Sequence, residues 1–134
     1  MALQLIVKNR WKIYFYEEDG ICPIDTYIKD NFNEKAQCHI RACFSHLADK
    51  GRSGLSTDLF HSAADGEEIK SSRKTYKMFG LHKGEHRLYS ILIEEDKTII
   101  FTHGTTKRQQ KTSKQDILKF QQLVTMLLDE SEVQ

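Results

Sequence analysis

The chain is poor in most of the features that announce a function. Its three cysteines, Cys22, Cys38 and Cys43, contain no Cys-x-x-Cys pair. An odd, scattered set cannot close into a complete disulfide framework and points to a reducing compartment. No stretch approaches the roughly 18 apolar residues of a membrane span. The short apolar run before Lys8 lacks the length and basic flank of a secretory signal, so the expected location is cytoplasmic, with no membrane partner. Net charge is nearly absent as well, since 20 Lys+Arg against 19 Asp+Glu leave +1. Any argument for a nucleic-acid partner must therefore rest on where the charges lie. Glycine-rich phosphate loops, Gly-x-Ser-x-Gly and His-Glu-x-x-His are all missing, which leaves no sequence support for P-loop, serine-hydrolase or zincin chemistry. His39, Cys43 and His46 share a helical stripe, but Cys43 belongs to its apolar face and no fourth ligand is evident, so neither metal nor cofactor is expected.

What remains is an ordinary globular mixture, 39% hydrophobic and 29% charged over 134 residues. That is enough for one domain with a real core. The expected unit is 1–134, with its core at about 11–128 and an acidic tail at 129–134. Trp11 to Tyr16 reads as a strand that Leu3 to Val7 extends, followed by a turn at Glu17-Glu18-Asp19-Gly20. The single proline, Pro23, suits the first residue of a short helix ending near Asn31. Asn33 caps a second helix whose apolar positions Ala36, Ile40, Cys43, Phe44 and Leu47 recur at spacings of three and four, and Lys50-Gly51 closes it.

Gly51 to Gly66 reads as a loop pinned by Leu55, Leu59 and Phe60. A bent or interrupted strand follows through Ile69 and Tyr76 to Phe79, and His82 to Glu85 reads as a turn. Two apolar strands, Arg87 to Ile93 and Thr98 to His103, flank the acidic turn Glu94-Glu95-Asp96-Lys97. Ser113-x-x-Asp116 resembles a capping box opening a last helix to about Leu128. The expected class is α+β: a small antiparallel sheet in the order β-α-α-β-β-β-α with helices packed on one face.

The functional signal lies after the second apolar strand. Lys107, Arg108, Lys111 and Lys114 fall within eight residues with no acid among them. His103 and Gly104 are expected where that strand ends. A hairpin would thus present a basic rim suited to phosphate. The same run also suits an ordinary solvated loop, and His103 at a strand end also suits a structural hydrogen-bonding residue.

The order of elements, with particular residues attached, resembles the RelE/HigB toxin superfamily, and most closely its phage-derived branch. The resemblance rests on Tyr14-Phe15-Tyr16-Glu17-Glu18-Asp19-Gly20-x-Cys22-Pro23, on Leu47-Ala48-Asp49-Lys50-Gly51, and on Glu68-Ile69-Lys70 followed by Tyr76-Lys77-Met78-Phe79. Above all it rests on His103-Gly104-x-x-Lys107-Arg108-x-x-Lys111-Thr112, similar to that family's histidine-glycine turn and lysine-rich run. Thr105 and Ser113 depart from the pattern, and no tyrosine stands near the end of the chain.

The resemblance implies a RelE-like fold and the toxin of a toxin–antitoxin system, an mRNA endoribonuclease acting at the ribosome. An antitoxin, of helix-turn-helix type, would hold it silent. A sister branch poisons DNA gyrase instead, and a catalytically inactive binding module is a further alternative.

RNA cleavage of this kind uses the 2′-hydroxyl as nucleophile, and the protein supplies a base, an acid and cations. Arg87, His103, Lys107 and Arg108 are the expected catalytic set, with His103, or else His86 or Tyr89, moving protons. Arg73, Lys77, Tyr89, Lys111 and Lys114 are the expected RNA-binding residues. Either Lys77 or Arg87 fills the family's strand-arginine position.

Overall fold

The computed structural model describes residues 2–64, 66–71, 73–107 and 111–133. Among them the chain forms β1 (Ala2–Lys8), β2 (Lys12–Glu17), α1 (Pro23–Asn31), α2 (Glu34–Lys50), a 3-10 turn at Gly51–Gly54, β3 (Phe60–Ser62), β4 (Glu68–Lys70), β5 (Thr75–Lys83), β6 (His86–Ile93), β7 (Thr98–Thr106) and α3 (Lys114–Val133). The α+β class holds, and the main elements follow the expected order.

Both early helices form for the reasons legible in their ends. Pro23 occupies the first turn of α1, where its missing N–H costs no hydrogen bond. The Asn33 side chain accepts from the Ala36 N–H at 2.9 Å and caps α2. Gly51 ends α2 with φ +65, and a Cβ at that position would strike the Trp11 ring. The Trp11 N–H donates to the Ala48 carbonyl at 2.8 Å, so the end of α2 is tied to the β1–β2 turn.

The sheet runs β1-β2-β7-β6-β5-β3, with β4 also paired to β5. It is more mixed than expected from sequence, because β2 and β7 pair in parallel while the other pairings are antiparallel. Leu3 to Val7 does not extend the second strand but folds back on it as β1. The interrupted strand expected at 69–79 is a hairpin in which β4 pairs with the first part of β5. The loop expected at 51–66 contributes β3, which pairs with β5 further along at Phe79 to Leu81.

Helices cover both faces of the sheet, where a single face was expected. Ile24 and Ile28 of α1 and Ile40, Phe44 and Leu47 of α2 pack with Phe15, Leu81, Leu88 and Phe101 on one side. Phe120, Leu123 and Val124 of α3 pack with Met78, Tyr89, Ile91 and Ile100 on the other. The alternation of β6 assigns Leu88 and Leu92 to the first face and Tyr89, Ile91 and Ile93 to the second, as period-two geometry requires. No helix among the described residues is long and apolar enough to cross a membrane.

A bulge in β7 decides what faces α3. Register shifts between Tyr89 and Ser90, with Tyr89 opposite His103 and Ser90 opposite Phe101, so Thr102 is the extra residue. An inserted residue reverses which side chains point to which face. Ile100 therefore faces α3 before the bulge, and His103 does so after it. Gly104 then meets α1, where a Cβ would overlap the Tyr27 ring. His103 and Gly104 lie inside β7, which continues to Thr106, and do not form the turn that the resemblance implied.

Candidate functional site: a basic cleft beside α3

A cleft of about 800 Å³ opens on the α3 side of the sheet. Its floor is His82 of β5 with Arg87 and Tyr89 of β6. One wall is the segment from His61 to Ala64, and the other is formed by Lys107, Lys111, Thr112 and Ile117. The first wall exists because the chain leaves β5 between β3 and β4. The Ala63 N–H reaches the Met78 carbonyl at 2.9 Å, and the Met78 N–H reaches the Glu67 carbonyl at 3.1 Å. The two walls meet where the Ala64 N–H donates to Thr112 Oγ1 at 3.1 Å.

Arg87 stands opposite His82 across the β5–β6 hairpin. Its Nη1 donates to the carbonyls of Gly84 at 2.8 Å and His86 at 3.0 Å, which fixes the guanidinium to the hairpin turn. Tyr89 is 2% exposed. Its hydroxyl and Arg87 Nε are buried with no hydrogen-bond partner among the described residues. Burial pushes the Tyr89 phenol up; Thr112 and Arg87 oppose that shift and Asp116 reinforces it. Lys107 is anchored by its N–H to the Glu85 carbonyl at 2.7 Å. Burial, and then the neighbouring Arg87 charge, holds its ammonium below the usual lysine range, with Asp116 opposing.

No motif singled out the two histidines of this cleft. The rings of His61 and His82 lie 3.9 Å apart between centroids and tilted by 44°. His61 Nδ1 is 2.8 Å from the Thr57 carbonyl. A carbonyl only accepts, so Nδ1 carries the proton and a neutral His61 presents Nε2 as an acceptor. His82 is pushed down to about 4, first by burial and then by the charges of Arg87, His61 and Lys107. It is therefore neutral near pH 7. Gly80 lies beneath these rings, and a Cβ there would rest in ordinary contact with His82 Nε2 and Tyr89 Cε1, each at 3.5 Å.

Four of the residues expected from sequence thus come together: Arg87, Tyr89, Lys107 and Lys111 line one cleft. Arg108 lies outside the described residues. His103 does not line the cleft; it is 9% exposed and both ring nitrogens are engaged. Nε2 is 2.8 Å from Asp116 Oδ1, and Nδ1 is 3.0 Å from Thr102 Oγ1. Burial alone would raise the Asp116 carboxyl, but hydrogen bonds from His103 and Ser113, together with nearby positive charge, hold it below the usual range.

The Ser113 hydroxyl donates to Asp116 Oδ2 at 2.7 Å and accepts from the Asp116 N–H at 3.1 Å. His103 thus fastens the bulge of β7 to the first turn of α3.

The remaining expected positions lie elsewhere. His86 faces α1, where its Nδ1 is 2.7 Å from the Tyr27 hydroxyl. Lys77 pairs in register with Glu68 and Leu92, and by alternation it points away from α3. Arg73 is exposed in the β4–β5 turn, and Lys114 is exposed at the start of α3. Between the two possible strand cations, the geometry assigns the cleft to Arg87. Compared with known protein families, characterised proteins and solved structures, the chain has no match.

Proposed function

We propose that the chain is an endoribonuclease whose chemistry is carried by side chains, acting on mRNA as the toxin of a toxin–antitoxin pair. The observation that carries this reading is the grouping of Arg87, Lys107 and Lys111 around one cleft that also holds two imidazoles and a buried phenol. Cleavage by the 2′-hydroxyl needs cations where charge grows on the phosphate oxygens, and a guanidinium with two lysines meets that need. It needs proton acceptors and donors as well, and histidine and a depressed lysine are suited to both near neutral pH. The ribosome as the place of cleavage and a helix-turn-helix antitoxin as the silencing partner follow from the sequence resemblance. The basic cleft supports the antitoxin half of that reading, because an acidic segment laid across it would block the phosphate path.

The experiment is expression without a partner, with transcripts mapped by primer extension. The wild type is expected to arrest growth and fragment mRNA. Lys107→Ala with Lys111→Ala is expected to lower cleavage by about 10²-fold or more. Full activity in that double variant would remove the cleft from the reaction. Intact transcripts accompanied by DNA-damage signalling would favour the gyrase-directed alternative.

A further inference from the structure

We propose that His61 is the general base of this cleft and Lys107 its general acid, an assignment that rests on the nuclease reading above. The geometry separates the two imidazoles by role. His61 lies on the three-residue strand β3, at the open wall of the cleft, and its Nδ1 proton is held by the Thr57 carbonyl at 2.8 Å. That contact leaves Nε2 as its one basic nitrogen. His82 stacks on it from the floor at 3.9 Å between centroids. At about 4 it is too weak a base to compete near neutral pH.

The groups sharing the cleft with His61 are His82 on β5, Arg87 and Tyr89 on β6, and Lys107 and Lys111 on the far wall. Arg87 is bound to the hairpin turn and carries a charge that proteins do not remove, so it can hold a phosphate but cannot move a proton. Lys107 lines the cleft with its backbone held to the Glu85 carbonyl at 2.7 Å, and its ammonium is weakened by burial and by Arg87, which suits it to give up a proton.

In the reaction the proton of the 2′-hydroxyl passes to His61 Nε2 as the 2′-oxygen forms its bond to phosphorus. The bond from phosphorus to the 5′-oxygen breaks, and that oxygen takes a proton from Lys107. The products are a 2′,3′-cyclic phosphate end and a 5′-hydroxyl end. Exchange with water then returns the proton from His61 and reprotonates Lys107.

The test compares mRNA cleavage, on ribosomes and on free RNA, between a normal scissile linkage and one whose bridging 5′-oxygen is replaced by sulfur, which departs without a proton. His61→Asn retains an N–H for Thr57 and so preserves the β3 contact. It is expected to lower kcat by about 10²–10⁴-fold on both linkages, to leave KM near the wild-type value, and to abolish the ascending limb of the pH–rate profile. Lys107→Ala is expected to be slow on oxygen and restored on sulfur. Recovery of His61→Asn on sulfur, or a change confined to KM, would overturn the assignment, the latter marking His61 as a stacking surface.

Nitrogen-15 NMR of the free protein gives a readout independent of turnover. A neutral His61 protonated at Nε2 would defeat the proposal even in an active nuclease. A wild type that cleaves neither form of RNA would overturn the nuclease reading itself and the assignment with it.

Discussion

The least ordinary atom at the residue scale is the Tyr89 hydroxyl, buried beneath the cleft with no hydrogen-bond partner among the described residues. An unpaired buried hydroxyl costs on the order of 1–3 kcal/mol, so removing it should relieve the fold. Tyr89→Phe is expected to leave stability unchanged or raise it by up to about 1 kcal/mol in urea unfolding. A loss of more than about 1 kcal/mol would show that the oxygen has a partner after all. If the phenol serves the reaction, the same substitution lowers cleavage while the fold gains, the trade-off expected where function and stability compete.

His82 makes a second case, read through pH. Its folded value of about 4 lies below the ordinary 6.5, so the unfolded chain binds a proton between the two and the native state does not. Its contribution is complete above about 6.5 and falls away as pH drops toward 4. After allowance for partial exposure of the ring, roughly 1–2 kcal/mol should be lost over that window. Denaturant midpoints measured across it should slope in the wild type and flatten in His82→Gln.

At the scale of elements, the joint between β7 and α3 sets the second wall of the cleft. Ser113→Ala removes the helix cap and is expected to cost about 1 kcal/mol. Asp116→Ala also strips the Nε2 partner from a buried His103, and about 2–3 kcal/mol is expected. Because the Asp116 carboxyl is held low, its contribution is present above the usual carboxylate range and disappears as pH falls through the depressed value. Hydrogen exchange in the first turn of α3 is the measurement, and protection unchanged in Asp116→Ala would show that the wall stands without this joint.

Elements with local signals were legible in the chain itself. Pro23, Asn33 and Gly51 mark their helix ends by backbone chemistry that needs no distant partner, and Ser113-x-x-Asp116 did the same for α3. His82 was hidden because His82 to Glu85 looks like a turn, while in the fold β5 runs on to Lys83 and only Gly84 and Glu85 lie between the strands. His61 was hidden by the brevity of β3, which owes its pairing to β5 and has little strand character of its own. The Thr102 bulge left no local mark, and without it the side of the sheet chosen by His103 cannot be read.

For the whole molecule, the proposed nuclease reading sets two ways of holding RNA against each other: in the cleft, or along a basic rim that also takes in Arg73. Net charge of +1 gives little general attraction, so affinity must come from cations grouped in one place. The acidic turn after β6 does not counter the cleft. Glu94 pairs with Arg52 and Asp96 with Lys74, and that turn lies beyond the opposite end of β6 from Arg87. Arg73 precedes β5 at Thr75, and His82 lies near the other end of that strand, roughly 23 Å away at the ordinary strand rise.

One short RNA strand at the cleft would therefore engage Lys107 and Lys111 without engaging Arg73. Each phosphate contact on single-stranded RNA steepens the dependence of log affinity on log salt by about 0.7. Lys107→Ala with Lys111→Ala should accordingly flatten the slope by about 1.4, whereas Arg73→Ala should leave it unchanged. Fluorescence anisotropy of a short labelled RNA over a salt series decides the matter. An Arg73→Ala slope that falls as far as the change per lysine would mean that contacts spread along the sheet edge, and the cleft would lose its claim to be the point where the backbone is held.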